Sequence, residues 1–106
     1  MATATTRNWK AWQNLQPPGK PRVIVTGEAQ TTNRNETPSL QEHVPAGFNP
    51  KILLLDLTIT PSGAGNDVLG WKPVRFEKKI DANQYSTVEV LSAGNGIAKI
   101  KVETVT

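Results

Sequence analysis

Eight prolines and eight glycines interrupt this chain of 106 residues at short intervals. Proline lacks the backbone N–H that a helix interior needs, and an interior glycine costs about 1 kcal/mol relative to alanine. Isolated helices need about 12 residues or more to be stable, and few stretches between these residues suit a long helix. The frequent prolines and glycines therefore favour short secondary-structure elements that are joined by turns.

The segments between the turns alternate apolar and polar side chains or are rich in β-branched residues, as β-strands are. In residues 51–60, Leu53, Leu55 and Leu57 fall on one face, and polar residues fall on the other. Four further segments are predicted strands, with a fifth as a weaker candidate: residues 22–29, 73–80, 85–92 and 97–105, and residues 39–44. Strands with one apolar face favour antiparallel sheets. The sequence predicts an all-β fold, namely a small antiparallel β-sandwich that is immunoglobulin-like, and a small β-barrel is the alternative.

The N-terminal segment shows a different periodicity. Trp9, Trp12 and Leu15 recur every three residues, which places them on one face of a short helical turn. Two prolines and a glycine follow at positions 17–19, so we expect the turn to end there. We therefore predict an N-terminal segment, residues 1–21, that contains this turn, and a single β-sandwich domain over residues 22–106.

The last two predicted strands flank a glycine-rich turn and are expected to form a hairpin. A three-residue loop over residues 94–96 pairs Val90 with Ile100, so that apolar side chains share one face. The same register sets Glu89 beside Lys101, which is a favourable cross-strand pair of opposite charges. We predict this register rather than a two-residue turn.

Residues with catalytic chemistry are sparse and dispersed along the chain. There is no cysteine and only one histidine, His43, which argues against a thiolate nucleophile and a histidine-rich metal site. Glu42 precedes His43, but neighbours on a strand point to opposite faces. The loop over residues 62–67 lacks the Gly-Lys-Ser/Thr of a phosphate-binding loop. The sequence therefore predicts that the protein is not an enzyme and that it binds no metal and no cofactor.

The chain has three tryptophans beside one tyrosine and two phenylalanines. Exposed tryptophans stack on bases or anchor a protein partner, which makes Trp9 and Trp12 candidate binding residues. The alternative is a structural role, in which Trp9 and Trp12 close one end of the sandwich and Trp71 fills its core.

The net charge is +3. Arg75 and Lys79 share one strand face, and Lys99 and Lys101 share another. If these strands belong to one sheet, they form a basic outer face that is suited to nucleic acid or another polyanion. The alternative is an ordinary solvated face in which glutamates are interspersed.

Two functional hypotheses remain. The first is a non-enzymatic interaction or structural domain that binds a protein partner, and the second is a nucleic-acid or polyanion binder that uses the basic face. The longest apolar run, residues 52–55, is far shorter than the roughly 20 residues of a membrane span, and no apolar signal segment is present. Together with the absence of cysteine, these features predict a cytoplasmic protein without a membrane partner.

Overall fold

The computed structural model describes residues 5–17, 19–32, 35–44, 49–60 and 69–105, and the loop over residues 62–67 lies outside them. The described residues form strands and no helix. In chain order the strands are β1 (Thr6–Asn14), β2 (Arg22–Thr31), β3 (Thr37–Glu42), β4 (Ile52–Thr60), β5 (Gly70–Lys79), β6 (Thr87–Ser92), β7 (Asn95–Lys101) and β8 (Glu103–Val105).

The strands form two sheets of four strands each. Sheet A has the order β5-β2-β1-β8, and sheet B has the order β3-β4-β6-β7. The prediction of an all-β sandwich is confirmed, and the described strands do not close into a barrel. The sheets are not purely antiparallel, because β1 pairs with β8 in parallel and β4 pairs with β6 in parallel. Antiparallel pairing was inferred from side-chain alternation, and a strand whose second face is solvated shows that alternation in either direction.

The core lies between the sheets and follows the predicted alternation. Its fully buried side chains come from the inner strands of both sheets, namely Val23, Val25, Leu53, Leu55, Val88 and Val90. Burying a valine or leucine side chain contributes roughly 1.5–3 kcal/mol, so these strands supply most of the driving force for folding. Residues 51–60 were correctly predicted, since Leu53, Leu55 and Leu57 all face inward.

The prediction of an N-terminal helical turn is wrong. Residues Thr6–Asn14 form β1, which lies inside sheet A between β2 and β8. Its backbone pairs with β2 along almost its whole length and with β8 over its last three residues. These ladder hydrogen bonds are long-range, and a three-residue apolar spacing does not reveal them. The segment that was predicted to precede the sandwich therefore supplies one of its inner strands.

The predicted hairpin register is also wrong, although each side chain lies on the predicted face. The turn is the two-residue Ala93-Gly94, and both residues have positive φ angles of 51° and 82°. The register shifts by one residue at Ile97, next to this turn, so that Val90 pairs with Ala98 and Glu89 pairs with Lys99, two residues from the predicted register. A shift of two keeps every side chain on its face, because the side-chain period of a strand is two.

Two polar clusters join the elements of the sandwich, one at the β3 and β5 edges and one beside β8. Nζ of Lys78 on β5 donates to Glu42 on β3 at 3.0 Å and to the Tyr85 hydroxyl at 3.1 Å. Desolvation lowers the pKa of Lys78, but these hydrogen bonds outweigh it, and the pKa is raised. The edges of the two sheets are thus joined at β3 and β5.

Gln13 joins β1 and β8 to the turn that precedes β6. Its side chain is 4% exposed, and Nε2 donates to Asn83 Oδ1 at 2.9 Å and to Thr104 Oγ1 at 2.8 Å. The Asn83 backbone N–H donates to Gln13 Oε1 at 2.9 Å. Both the nitrogen and the oxygen of the buried Gln13 amide therefore have hydrogen-bond partners, as buried polar groups usually do.

Candidate functional site

A groove of about 380 Å³ lies on the side of the sandwich where β1 faces β7. We call it the β1–β7 groove. Its lining is Trp9, Lys10, Ala11, Trp12, Ile100, Lys101, Glu103 and Val105. Three of the residues that were predicted to bind a partner are thus brought together: Trp9, Trp12 and Lys101. The chain passes here from sheet B to sheet A, between β7 and β8, and this crossing leaves the groove between the two sheet edges.

The groove follows a part of β1 that has a strand on one side only. β8 pairs with Trp12, Gln13 and Asn14, whereas no described strand pairs with the β8 side of β1 from Thr6 to Ala11. The N–H of Leu15 donates to the Val105 carbonyl at 2.9 Å. Because backbone groups alternate along a strand, Gln13 and Ala11 direct theirs to the same side as Leu15. Ala11 therefore directs its N–H to the side of β8 at the point where the β8 pairing ends.

Trp9 and Trp12 lie on opposite faces of β1, because an odd spacing separates faces on a strand. The ring of Trp9 packs over Gly27 and against the core, and its Nε1 donates to Thr6 Oγ1 at 2.9 Å. The pairing with β2 shifts between Arg7 and Lys10, which marks a β-bulge. Asn8 within the bulge has a φ of 58°, a conformation that asparagine tolerates better than most residues.

Trp12 lies half-buried on the outer face of sheet A. It pairs with Ile24 on β2 and with Glu103 on β8. Ile24 is only 5% exposed although it faces outward, so neighbouring side chains cover it. The two tryptophans therefore flank the open edge of β1, with Trp9 on the inner side and Trp12 on the outer side. The predicted structural role fits Trp9, whereas Trp12 remains accessible from the groove.

The structure does not bring the four predicted basic residues together. Arg75 and Lys79 lie on β5 in sheet A, whereas Lys99 and Lys101 lie on β7 in sheet B. The condition for a joint basic face, that these strands share a sheet, is not met. Lys101 lines the groove, and Lys99 pairs with Glu89 on the outer face of sheet B.

Arg75 and Lys79 instead share the outer face of sheet A with three basic residues that sequence reasoning missed, namely Arg7, Lys10 and Arg22. Lys10 pairs with Thr26, which pairs with Arg75, and Arg22 pairs with Lys79, so each pair sits in one row across the strands. Cross-strand partners point to the same face. The missing signal was the strand character of residues 6–14, without which Arg7 and Lys10 have no assigned face.

Two carboxylates on this outer face are held by arginines. Glu28 Oε1 accepts from Asn8 Nδ2 at 2.5 Å and from Arg7 Nε at 3.2 Å. Glu77 accepts from Arg22 Nη1 at 2.5 Å and from Arg75 Nη2 at 3.0 Å.

These hydrogen bonds favour the ionised form of both groups and outweigh desolvation. The pKa of Glu28 is lowered, chiefly by the hydrogen bond from Asn8, and the pKa of Glu77 is lowered, chiefly by that from Arg22. Both carboxylates therefore carry a negative charge throughout the physiological pH range.

His43 has a carboxylate partner that the sequence did not reveal. Its Nδ1 lies 2.9 Å from Asp56 Oδ2, and both side chains remain about one-third exposed, at 33% and 39%. The hydroxyl of Ser39 on β3 forms a hydrogen bond with the Thr58 hydroxyl at 3.0 Å. The pair resembles the His–Asp part of a nucleophilic triad, in which the carboxylate orients the imidazole. Ser39, however, is not hydrogen-bonded to this pair and does not act as its nucleophile.

Among the described residues, no group of three or more histidine, cysteine, aspartate or glutamate side chains is placed to hold a metal ion. The same residues include no helix long and apolar enough to cross a membrane. Comparisons of the chain with protein-family models, curated proteins and solved structures find no match.

Proposed function

We propose that the protein is a non-enzymatic binding domain that takes up an extended segment of a partner protein in the β1–β7 groove. The observation that supports this most directly is that the groove coincides with the open edge of β1. A strand edge offers backbone donors and acceptors in a row, and an incoming segment that pairs with them extends the sheet.

The open edge from Thr6 to Ala11 has room for a short segment. Six residues of strand span about 20 Å, which accommodates one added strand that lies in line with β8. The edge of β7 is less suited, because its Lys99 and Lys101 side chains are of the kind that discourages pairing between edges. We therefore assign the backbone contacts to β1 and the side-chain contacts to both walls.

The lining of the groove defines the side chains that it accepts. Trp9, Trp12 and Ile100 provide an aromatic and aliphatic surface, and aromatic side chains frequently anchor protein partners. Lys10 and Lys101 lie on the rim beside one carboxylate, Glu103, so the rim carries a net positive charge. An apolar residue flanked by acidic residues complements this surface.

Two further features belong to the proposal. The neighbours β5-β2-β1 match the E-B-A order of an immunoglobulin sheet, which supports an immunoglobulin-like relationship, although β4 takes a position between β3 and β6 that this topology lacks. The absence of cysteine supports a cytoplasmic location.

The test uses a displayed library of random eight-residue peptides that is selected against the purified protein. The selected peptides are then titrated by fluorescence anisotropy. We expect peptides with an apolar centre and acidic flanks. Trp12→Ala should weaken their binding at least tenfold, since truncated aromatic anchors typically cost about 2 kcal/mol or more.

Two charge reversals on β7 provide a matched pair. Lys101→Glu should weaken peptide binding, whereas Lys99→Glu should not, because Lys99 lies on the same strand and face but does not line the groove. N-methylation of alternate peptide residues should abolish binding, since it removes the donors of strand pairing. Equal effects of the two reversals, or no peptide binding tighter than about 100 μM, would contradict the proposal.

A further inference from the structure

We infer that the outer face of sheet A is a second binding site, which adjoins the groove at Lys10 and Trp12, and that its ligand is single-stranded nucleic acid. The proposal goes beyond the peptide-binding function, and three of its cations, Arg22, Arg75 and Lys79, do not line the groove. Its basis is a charge imbalance between the two outer faces of the sandwich, together with flat groups on the basic face on which bases can stack.

The outer face of sheet A has an excess of positive charge. Pairing across its strands places five basic and three acidic side chains on this face: Arg7, Lys10, Arg22, Arg75 and Lys79 against Glu28, Glu77 and Glu103. The outer face of sheet B carries two of each, namely Lys99 and Lys101 against Asp56 and Glu89. The net charges of +2 and 0 make the two faces electrostatically distinct. A polyanion is attracted to the first face only.

The acidic residues on β2 and β5 support this surface by orienting the arginines. Glu77 lies between Arg22 and Arg75 and accepts a hydrogen bond from each. Arg75 nevertheless remains 63% exposed, so further guanidinium donors face solvent. Because a carboxylate fixes each arginine side chain in advance, less side-chain entropy is lost when a phosphate binds.

The cations form two rows across the strands. Arg22 and Lys79 lie in one row, and Lys10 and Arg75 lie in the row four residues further along β2. Neighbouring strands are about 4.8 Å apart, and successive rows that face the same side are about 6.8 Å apart, so the two cation rows lie about 14 Å apart. The face therefore presents a grid of positive charges rather than one isolated point, as a chain of phosphates requires.

Two flat groups lie among these rows. Trp12 lies on the outer face in the row between them, and the Arg7 guanidinium stacks over the Trp71 ring at 3.9 Å from its centroid. Bases stack on aromatic rings and on guanidinium planes, and this stacking is how sheet surfaces hold single strands. A duplex keeps its bases stacked inside and contacts only the charges, so the tryptophans favour a single strand.

The test measures affinity for fluorescein-labelled single-stranded DNA and RNA oligonucleotides of mixed sequence by anisotropy, over a series of salt concentrations. The variant Arg75→Ala/Lys79→Ala removes two cations from sheet A. The control Lys99→Ala/Lys101→Ala removes two cations from sheet B, with the same change in net charge. All four side chains are exposed, and we expect both variants to fold.

Each lost phosphate contact lowers the slope of log affinity against log salt by about 0.7 for single strands. The sheet A variant should therefore lose about 1.4 in slope and roughly 20-fold in affinity at 0.1 M salt. The control should keep both values close to those of the wild type. Trp12→Ala should weaken oligonucleotide binding with no change in slope, because stacking releases no counterions.

Equal losses in the two double variants would show non-specific attraction to net charge and would overturn the site. Duplex DNA or heparin that binds as tightly as the single strand at equal charge would overturn the assigned ligand. Absence of binding at low salt would overturn the inference altogether. The Arg75→Ala/Lys79→Ala variant keeps the two proposals distinguishable, because neither residue lines the groove and this variant should bind peptide as the wild type does.

Discussion

The close contact between Gly27 and Trp9 predicts a large effect from adding a single methyl group. A Cβ at position 27 would lie 2.4 Å from Trp9 Cε3 and 2.7 Å from Cζ3, where ordinary contacts begin at about 3.4 Å. The indole is a rigid ring whose Nε1 donates to Thr6. In Gly27→Ala the ring must therefore move by about 1 Å or leave its position against the core.

The magnitude follows from two opposing contributions. Overpacking a well-packed core typically costs about 1–3 kcal/mol, and a rigid ring places this substitution in the upper part of that range. Gly27 has no positive φ, so alanine fits the backbone and stabilises by about 0.4–1 kcal/mol through the unfolded state. We expect a net loss of about 1–2 kcal/mol in the free energy of unfolding. For 106 residues this corresponds to a decrease of roughly 5–10 °C in Tm.

A double-mutant cycle isolates the contact between Gly27 and Trp9. Urea unfolding is measured for the wild type, Gly27→Ala, Trp9→Leu and the double variant. With the smaller leucine at position 9, the added methyl group should be neutral or stabilising, and the coupling energy should reach about 1–2 kcal/mol. Additive effects of the two substitutions would refute the packing of Trp9 over Gly27.

Three further outcomes follow from the geometry. Gln13→Leu should destabilise the fold by about 1–2 kcal/mol in urea unfolding, because it removes the hydrogen bonds of Gln13 to Asn83 and Thr104; an unchanged stability would contradict this network. Ala93→Asn should raise stability by about 0.5–1 kcal/mol in thermal unfolding, since Asn-Gly suits the positive φ angles of the turn with Gly94 and alanine does not. The lowered pKa of Glu77 means that its contribution is complete above its unfolded pKa and is lost as the pH falls through the folded value. Glu77→Gln should accordingly flatten the acid limb of stability against pH, and an acid limb identical to that of the wild type would argue against the arginine contacts.

Much of the sandwich could be predicted from side-chain alternation alone. Val23, Val25, Leu53, Leu55 and Val88 lie in predicted strands and are fully or almost fully buried. Alternation is a local property, so a single sequence reveals it. The parallel pairing of β1 with β8 and of β4 with β6 joins distant parts of the chain, and no local pattern encodes which strand lies beside which.

The N-terminal tryptophans show where local reasoning fails. A spacing of three residues places Trp9 and Trp12 on one face of a helix but on opposite faces of a strand. The strand forms because β2 and β8 supply partners on both sides, which outweighs the local preference. A bulge at Asn8, with its positive φ, then shifts the alternation. Arg7 therefore faces outward, although Trp9 and Ala11 face inward.

The basic residues were correctly placed on strand faces but not on a common sheet. Arg75 and Lys79 face outward on β5, and Lys99 and Lys101 face outward on β7, as alternation predicts. Which faces combine depends on the strand order of each sheet, and that order follows from core packing over the whole chain. Arg7, which sits on β1, could be added only once β1 was known to be a strand.

Mapping a selected peptide on the ¹⁵N-labelled protein by NMR tests the proposed groove most directly. Strand addition predicts that the largest amide shift changes fall on Thr6 to Ala11, with intermolecular contacts between the peptide backbone and β1. It also predicts slowed hydrogen exchange at Ala11 in the complex, because the peptide covers that edge. Shift changes confined to β7 or to the outer face of sheet B, with the amides of β1 unchanged, would contradict peptide binding at the edge of β1.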